Sequence, residues 1–395
     1  MDQVVRIAGV GITPFAKPSA SDSYDVLAER AVRAALADAG LDYEQIQQAY
    51  AGYVYGDSTC GQAALYRLGQ TGIPIINVNN NCSTGSSALW LARQAVASGA
   101  IDCALAVGFE QMRPGALANA WNDRPGPLER ASATMARIQG PDDLAPVAAQ
   151  YFGGAGKAYA DAYGTAPETF AKISVKARRH AAHNPNAVFR TALSEEEVLA
   201  SPHIYGPLTR LQCCPPTCGA AAAVVCSPAF AQRNGLRATV AIRAQALTTD
   251  TSSSFDDGDM MKLVGYDMSK AAANRVYADS GVDPEDIDVV ELHDCFTTNE
   301  LISYEALGLT PEGTAEKFIL DGDNTYGGKV VTNPSGGLLS KGHPLGATGL
   351  AQCAELVWQL RGQADGRQVE GARLALQHNL GLGGACVVTL YERTA

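Results

Sequence analysis

A ten-residue segment occurs twice in this chain, and nothing else limits its fold as much. Ala37-Asp38-Ala39-Gly40-Leu41-Asp42-Tyr43-Glu44-Gln45-Ile46 matches Ala278-Asp279-Ser280-Gly281-Val282-Asp283-Pro284-Glu285-Asp286-Ile287, with six of ten positions identical at an offset of 241. Each copy follows a helical stretch and precedes an apolar run. Each half also ends in a similar strand-like segment, 219–225 in the first and 383–389 in the second. A solenoid repeats every ~20–50 residues, so an offset this long implies two related halves. The 395 residues are ample for both cores.

Apolar periodicity places the elements. Residues 4–10 and 101–109 read as strands, and 75–78 as a short buried one. Residues 22–39 read as an amphipathic helix closed by Gly40, with Val26, Leu27, Ala31, Ala34 and Ala35 inward. A second helix is expected over 85–98, with Gly99 as its stop.

Between the 75–78 strand and that helix lies Asn79-Asn80-Asn81-Cys82-Ser83-Thr84-Gly85-Ser86. Cys82 therefore sits at a strand-to-helix corner. Free backbone N–H groups and the positive end of the helix dipole there favour the thiolate, the nucleophilic form. The alternative is a small thiol packed inertly at a turn.

Net charge is −11, which argues against a nucleic-acid groove or a basic membrane face. The start, Met1-Asp2-Gln3-Val4-Val5-Arg6, lacks a signal-peptide layout, and Glu392-Arg393-Thr394-Ala395 is not a peroxisomal address. No apolar run reaches the ~18 residues of a membrane helix. The ten cysteines read as free thiols in a reducing cytoplasm. Cys213-Cys214-Pro215-Pro216-Thr217-Cys218 lacks zinc-site spacing and a nearby histidine, so no metal is expected. Residues 113–211 are richer in Arg and Pro and read as an inserted subdomain. Their run 170–180 is basic, fit either to meet a phosphorylated ligand or to form a solvated helix face.

The second half carries three dense stretches. They are Glu291-Leu292-His293-Asp294-Cys295-Phe296, then the segment 333–349 with Gly342-His343-Pro344-Leu345-Gly346-Ala347-Thr348-Gly349, then Gln377-His378-Asn379-Leu380-Gly381. Glycines let backbone and ligand approach closely. Two cysteines and three histidines thus fall near strand ends of a duplicated α/β scaffold, where such folds place their sites.

These motifs, with Asn81-Cys82-Ser83-Thr84-Gly85-Ser86 and Gly56-Asp57-Ser58-Thr59-Cys60-Gly61-Gln62, resemble the thiolase superfamily, and within it the sterol carrier protein X type. The likeness covers nearly the whole chain. It implies an α/β, five-layered α-β-α-β-α fold from two duplicated halves. Residues 1–112 with 212–238 would form the N-terminal half, 113–211 the inserted loop domain and 239–395 the C-terminal half. The carrier domain that follows the thiolase in the animal protein is expected to be absent.

The resemblance also implies a 3-ketoacyl-CoA thiolase acting on 3-oxoacyl-CoAs, including 2-methyl-branched or sterol-derived chains. Cys82 matches the nucleophile that carries the acyl group. His343 matches the histidine that takes its proton and lies beside the thioester oxygen. His293 stands where ordinary thiolases have an asparagine. Those enzymes carry a second catalytic cysteine at the position of His378. This type supplies that cysteine from the preceding motif, here Cys295, which takes the acid/base role; His378 shapes the site or hydrogen-bonds the reacting groups. Coenzyme A enters as co-substrate with no permanently bound cofactor, its contacts partly in 113–211. A homodimer or homotetramer is expected. Rival readings are a decarboxylating β-ketoacyl synthase, a silent lipid-binding relative and a partner-dependent steroid side-chain aldolase.

Overall fold

The repeated segment builds the same local structure twice. The structure, a computed structural model, describes residues 3–115, 117, 121, 123–142 and 144–394. Met1, Asp2 and Ala395, on which the expectations about the chain ends partly rest, lie outside the described residues. Gly40 and Gly281 each close a helix, at φ 70° and 69°. That left-handed geometry suits a residue without Cβ. Asp42 and Asp283 then each form a reciprocal cap on a single 3-10 turn, with Gln45 and Asp286 as partners. Ile46 and Ile287 are buried just before the next strand.

In chain order the first half comprises β1 (Val5–Ile12), α1 (Tyr24–Ala39), β2 (Gln48–Gly52), β3 (Ile75–Val78), α2 (Thr84–Ala97), β4 (Cys103–Glu110) and β5 (Gly219–Cys226). Between β4 and β5 run α3 (Glu129–Gln139), α4 (Val147–Tyr163) and α5 (Pro167–Ala181). The second half comprises β6 (Val240–Thr248), α6 (Tyr266–Ser280), β7 (Val289–Glu291), α7 (Thr297–Ala306), β8 (Val331–Thr332), α8 (Thr348–Arg361), β9 (Leu374–Gly381) and β10 (Ala385–Arg393). The strands form one ladder, β3-β2-β4-β5-β1-β6-β10-β9-β7-β8. Counting outward from the central β1–β6 pair gives the same order on both sides. The parallel pairs match too: β2 with β3 and β4, β7 with β8 and β9. The wings meet antiparallel at Val5–Ile242, Arg6–Ala241 and Ile7–Val240.

Strand alternation separates three cores. Ala104, Ala106, Ala221 and Ala223 of one wing, with Val289, Ala375 and Tyr391 of the other, enclose α2 and α8 in a central core. The alternate residues Leu105, Val107, Ala222 and Val224 pack on α1. Val290, Leu376, Val388 and Leu390 pack in a third core with α6 and α7. The result is the expected α-β-α-β-α order.

Local expectations differ in three places. Ala34 is exposed and Val26 only half-buried; Leu27, Ala31 and Ala35 are buried as expected, joined by Ala28, Val32 and Leu36. β3 is half-buried because it is an outer strand of the ladder. The basic run lies on α5, where its charges meet partners within this chain. Lys176 pairs with buried Glu300 of α7, and Lys172 with Glu195 at 2.6 Å. Arg178 stacks over Phe189 at 4.3 Å, and Arg179 donates to Thr325 Oγ1 at 3.0 Å. Two of its four cations, Lys172 and Lys176, are thus paired with acids of this chain, and the buried Lys176–Glu300 pair fixes α5 against α7. Among the described residues, no helix is long and apolar enough to cross a membrane.

Candidate active site

After β3 the chain turns sharply, with Asn81 in the left-handed region at φ 50°. Asparagine tolerates that region better than most residues. Its side chain locks the turn, Nδ2 donating to Leu382 O at 2.9 Å. Ser83 and Thr84 hydroxyls donate back to Asn80 O and Asn81 O, at 2.9 and 2.6 Å. Cys82 is thereby set at the mouth of α2.

The second half reaches this corner because glycines allow backbone contact. A Cβ on Gly108 would stand 2.1 Å from Gly346 O, and one on Gly85 2.7 Å from the same oxygen. Glu110 fastens the approach, its carboxylate accepting from the backbone N–H groups of Val54, Tyr55 and Gly346 at 3.0, 2.9 and 2.9 Å. Burial raises its pKa to about 7. Pro344 precedes α8, and its carbonyl accepts from Thr348.

That segment delivers His343. Its backbone N–H donates to Thr217 Oγ1 at 2.8 Å, and its Nδ1 lies 2.7 Å from Thr348 Oγ1. The Thr348 hydroxyl donates to Pro344 O, so towards the ring it accepts. In that arrangement His343 carries its proton on Nδ1, and Nε2 keeps a buried lone pair with no partner among the described residues. His293, just past β7, has the opposite arrangement. Asn379 Nδ2 faces its Nδ1 at 3.1 Å, which leaves Nε2 as the ring N–H. The two rings meet edge-on with centroids 5.1 Å apart. One nitrogen from each and the Cys82 sulfur all lie within 4.8 Å of one another.

Cys82, His293, Cys295 and His343 line one cavity of about 430 Å³. Cys295 is held from the segment just before β5, its carbonyl accepting from Cys214 N–H at 2.9 Å. His378 is not in the cavity wall. It lies beneath, Nδ1 accepting from His293 N–H at 3.4 Å and Nε2 lying 2.9 Å from Ser269 Oγ. Its contact is with His293 and α6. The remaining wall is largely apolar, with Met112, Phe152, Ile204, Phe296 and Leu382, and among the described residues Arg210 is its charged member. Sequence reasoning did not find Phe152, Ile204 or Arg210. Apolar residues in an insert carry no motif, and only the tertiary fold brings them to the sulfur.

The electrostatics reverse one expectation. Burial pushes the Cys82 thiol up to about 12, outweighing the backbone N–H groups of Leu382 and Cys82 itself, which favour the thiolate. Burial likewise raises Cys295 well above the usual thiol range. His343 and His378 are pushed down to about 3, and His293 well below its ordinary value, again by burial first. The resting site is therefore uncharged, a thiol facing a neutral imidazole. Such a pair can form a thiolate only as the proton moves from sulfur to nitrogen.

Family models match most of the chain: the thiolase N-terminal domain over residues 5–228 and the thiolase C-terminal domain-like model over 249–391. The chain belongs to the thiolase family. This thiolase is an acyltransferase-type enzyme with the thiolase fold. It is 56% identical to sterol carrier protein 2 of Homo sapiens over 392 residues, 98% of this chain and 72% of that one. Among solved structures it resembles an "Ltp2-ChsH2(DUF35) aldolase", at TM-score 0.84 and 26% identity, covering 99% of this chain and 98% of that one. The fold also matches human mitochondrial 3-ketoacyl-CoA thiolase in complex with CoA, at TM-score 0.74 and 18% identity, over 100% and 98% of the two chains.

Proposed function

We propose that this thiolase cleaves 3-oxoacyl-CoAs with coenzyme A through an acyl group carried on Cys82. The observation that carries this is the complementary state of two histidines around one thiol: a bare Nε2 on His343 and an N–H on His293. His343 takes the Cys82 proton as the sulfur attacks the 3-keto carbon. The C2–C3 bond breaks, and the electron pair passes to the thioester enolate. The N–H groups of His293 and of the now-protonated His343 stabilise its oxygen. Cys295 gives a proton to C2, and acetyl-CoA leaves. The Cys295 thiolate then takes the proton of incoming CoA, whose sulfur displaces the acyl group. Cys82 recovers its proton from His343. His378 supports the His293 backbone and takes no proton.

The apolar wall supports an extended acyl chain, with Arg210 placed for the polar end of the substrate. The same reading divides the chain into 1–112 with 212–238, 113–211 and 239–395, makes it a homo-oligomer and puts it in the cytoplasm with its thiols reduced. The test is the absorbance of a magnesium–3-ketoacyl-CoA complex. It is expected to fall when CoA and enzyme are both present. Release of CO2 from a malonyl thioester, or carbon–carbon cleavage without CoA, would replace thiolysis by a synthase or an aldolase. No turnover would leave a silent binding protein.

A further inference from the structure

The thiol and two imidazoles of this site stand close enough for a metal ion, and the hydrogen bonds behind them oppose one. The chain of bonds starts at a group that can only accept. Gly349 O takes a hydrogen bond from Gln377 Nε2 at 2.6 Å, which fixes the direction of that amide, and Tyr391 O–H completes it by donating to Gln377 Oε1 at 2.5 Å. Gln377 Nε2 gives a second hydrogen bond to Ser86 Oγ at 2.8 Å. The Ser86 hydroxyl is left to donate to Asn379 Oδ1, also at 2.8 Å. Asn379 must then present its NH2 to His293 Nδ1. Every member is buried. A reversed amide would set two donors or two acceptors face to face in a dry interior, where unsatisfied polar groups are costly.

We infer that Asn379 is a positioning residue that holds His293 as an Nε2–H donor, and so keeps the Cys82–His293–His343 cluster from binding a thiophilic metal ion. Metal ligation through Nε2 would need the proton on Nδ1, where it would meet the Asn379 NH2. Metal-binding histidines normally have an acceptor in that second position. The inference rests on the proposed role of His293 in holding the enolate oxygen, but its spectroscopic test does not.

The test is Asn379→Asp, which keeps the shape and replaces the donor with an acceptor. In the wild type, ¹⁵N-histidine NMR is expected to show the His293 proton on Nε2; in the variant it moves to Nδ1. Zn²⁺ affinity is expected to rise ~10–100-fold, the usual scale for such partners. With Co²⁺ as probe, a thiolate-to-cobalt band appears that Asn379→Asp combined with Cys82→Ser loses. Turnover falls by ~10²–10³-fold near pH 8 through kcat, the scale for one lost oxyanion donor.

The pH profile separates this role from a merely structural one. The new carboxylate raises the His293 pKa. At low pH the imidazolium keeps Nε2–H and activity persists; it is lost as pH rises through that pKa. The other titratable groups around His293 are His343, His378, Cys82 and Cys295, while the Asp294 carboxylate is directed at the N–H groups of Leu338 and Leu339. Ser86→Ala removes the anchor while leaving Asn379 in place; a mixture of tautomers and a smaller loss of kcat are expected. It carries the test should Asn379→Asp fail to fold. A wild-type proton on Nδ1, or equal Zn²⁺ affinity in wild type and variant, would overturn the inference. A tautomer that moves while kcat stays unchanged would instead remove His293 from the proposed mechanism.

Discussion

The same corner occurs in both halves and is used differently. In each, a strand of the parallel set runs into the helix that packs in the central core, and in each an asparagine turns the chain left-handed, Asn81 at φ 50° and Asn333 at φ 51°. In the first half the connection is short, residues 79–83, and ends with the thiol at the helix mouth. In the second it runs through residues 333–347, adds the helical turn Gly337–Ser340, and lays His343 against the other corner. Asp294 caps that extra turn, accepting from Leu338 N–H at 2.7 Å. Duplication thus supplies two matching wings, and the longer second connection brings an imidazole to the thiol of the first corner.

The largest expected effect breaks the pair at its nucleophile. Cys82→Ala should lower kcat by about 10⁴-fold or more, the scale for losing an attacking group. A small loss in a steady-state assay would mean the first corner is no different in kind from the second. Next, His343→Ala should cost ~10²–10⁴-fold, measured as thiolysis with substrate binding retained. Cys295→Ala should cost ~10²-fold in turnover, yet a burst of acylation on Cys82 should survive.

A pH series sharpens the contrast between geometry and charge. Because burial raises the Cys82 thiol and lowers His343, no thiolate–imidazolium pair exists at neutral pH. The rate of Cys82 alkylation by iodoacetamide is expected to climb steadily from pH 7 to pH 10. A plateau already reached below pH 7 would indicate a preformed thiolate. The smallest effect tests the likeness of the halves. Gly40→Ala and Gly281→Ala each force a Cβ into left-handed backbone with no neighbour within 4 Å. Each should cost about 1–2 kcal/mol in urea unfolding, by nearly equal amounts. Unequal losses would show that the two caps are not equivalent.

The duplication was legible because its determinants are local. A glycine after a helix and an aspartate before a turn act on their immediate neighbours, so Gly40–Gly281 and Asp42–Asp283 declare the two halves. Cys82, His293, Cys295 and His343 were legible as motifs and share one cavity. Their electrostatics were not. A helix mouth suggests a thiolate, but the apolar wall that outweighs it comes from residues such as Phe152 and Leu382, distant in sequence. The pairing of Lys176 on α5 was hidden for the same reason, since its acid is 124 residues away. Asn379 gave no signal of its own. On β9 it alternates in direction with His378, and its partners Ser86 and His293 lie on other elements of both halves.

The account stands or falls with the group that carries the acyl chain. Rapid-quench mass spectrometry of the wild type with a 3-ketoacyl-CoA, before CoA is added, measures this directly. The acyl mass is expected on the peptide containing Cys82, and its loss on adding CoA should match the appearance of the shortened acyl-CoA. An unmodified Cys82, with the acyl group on another residue or on none, would contradict the mechanism.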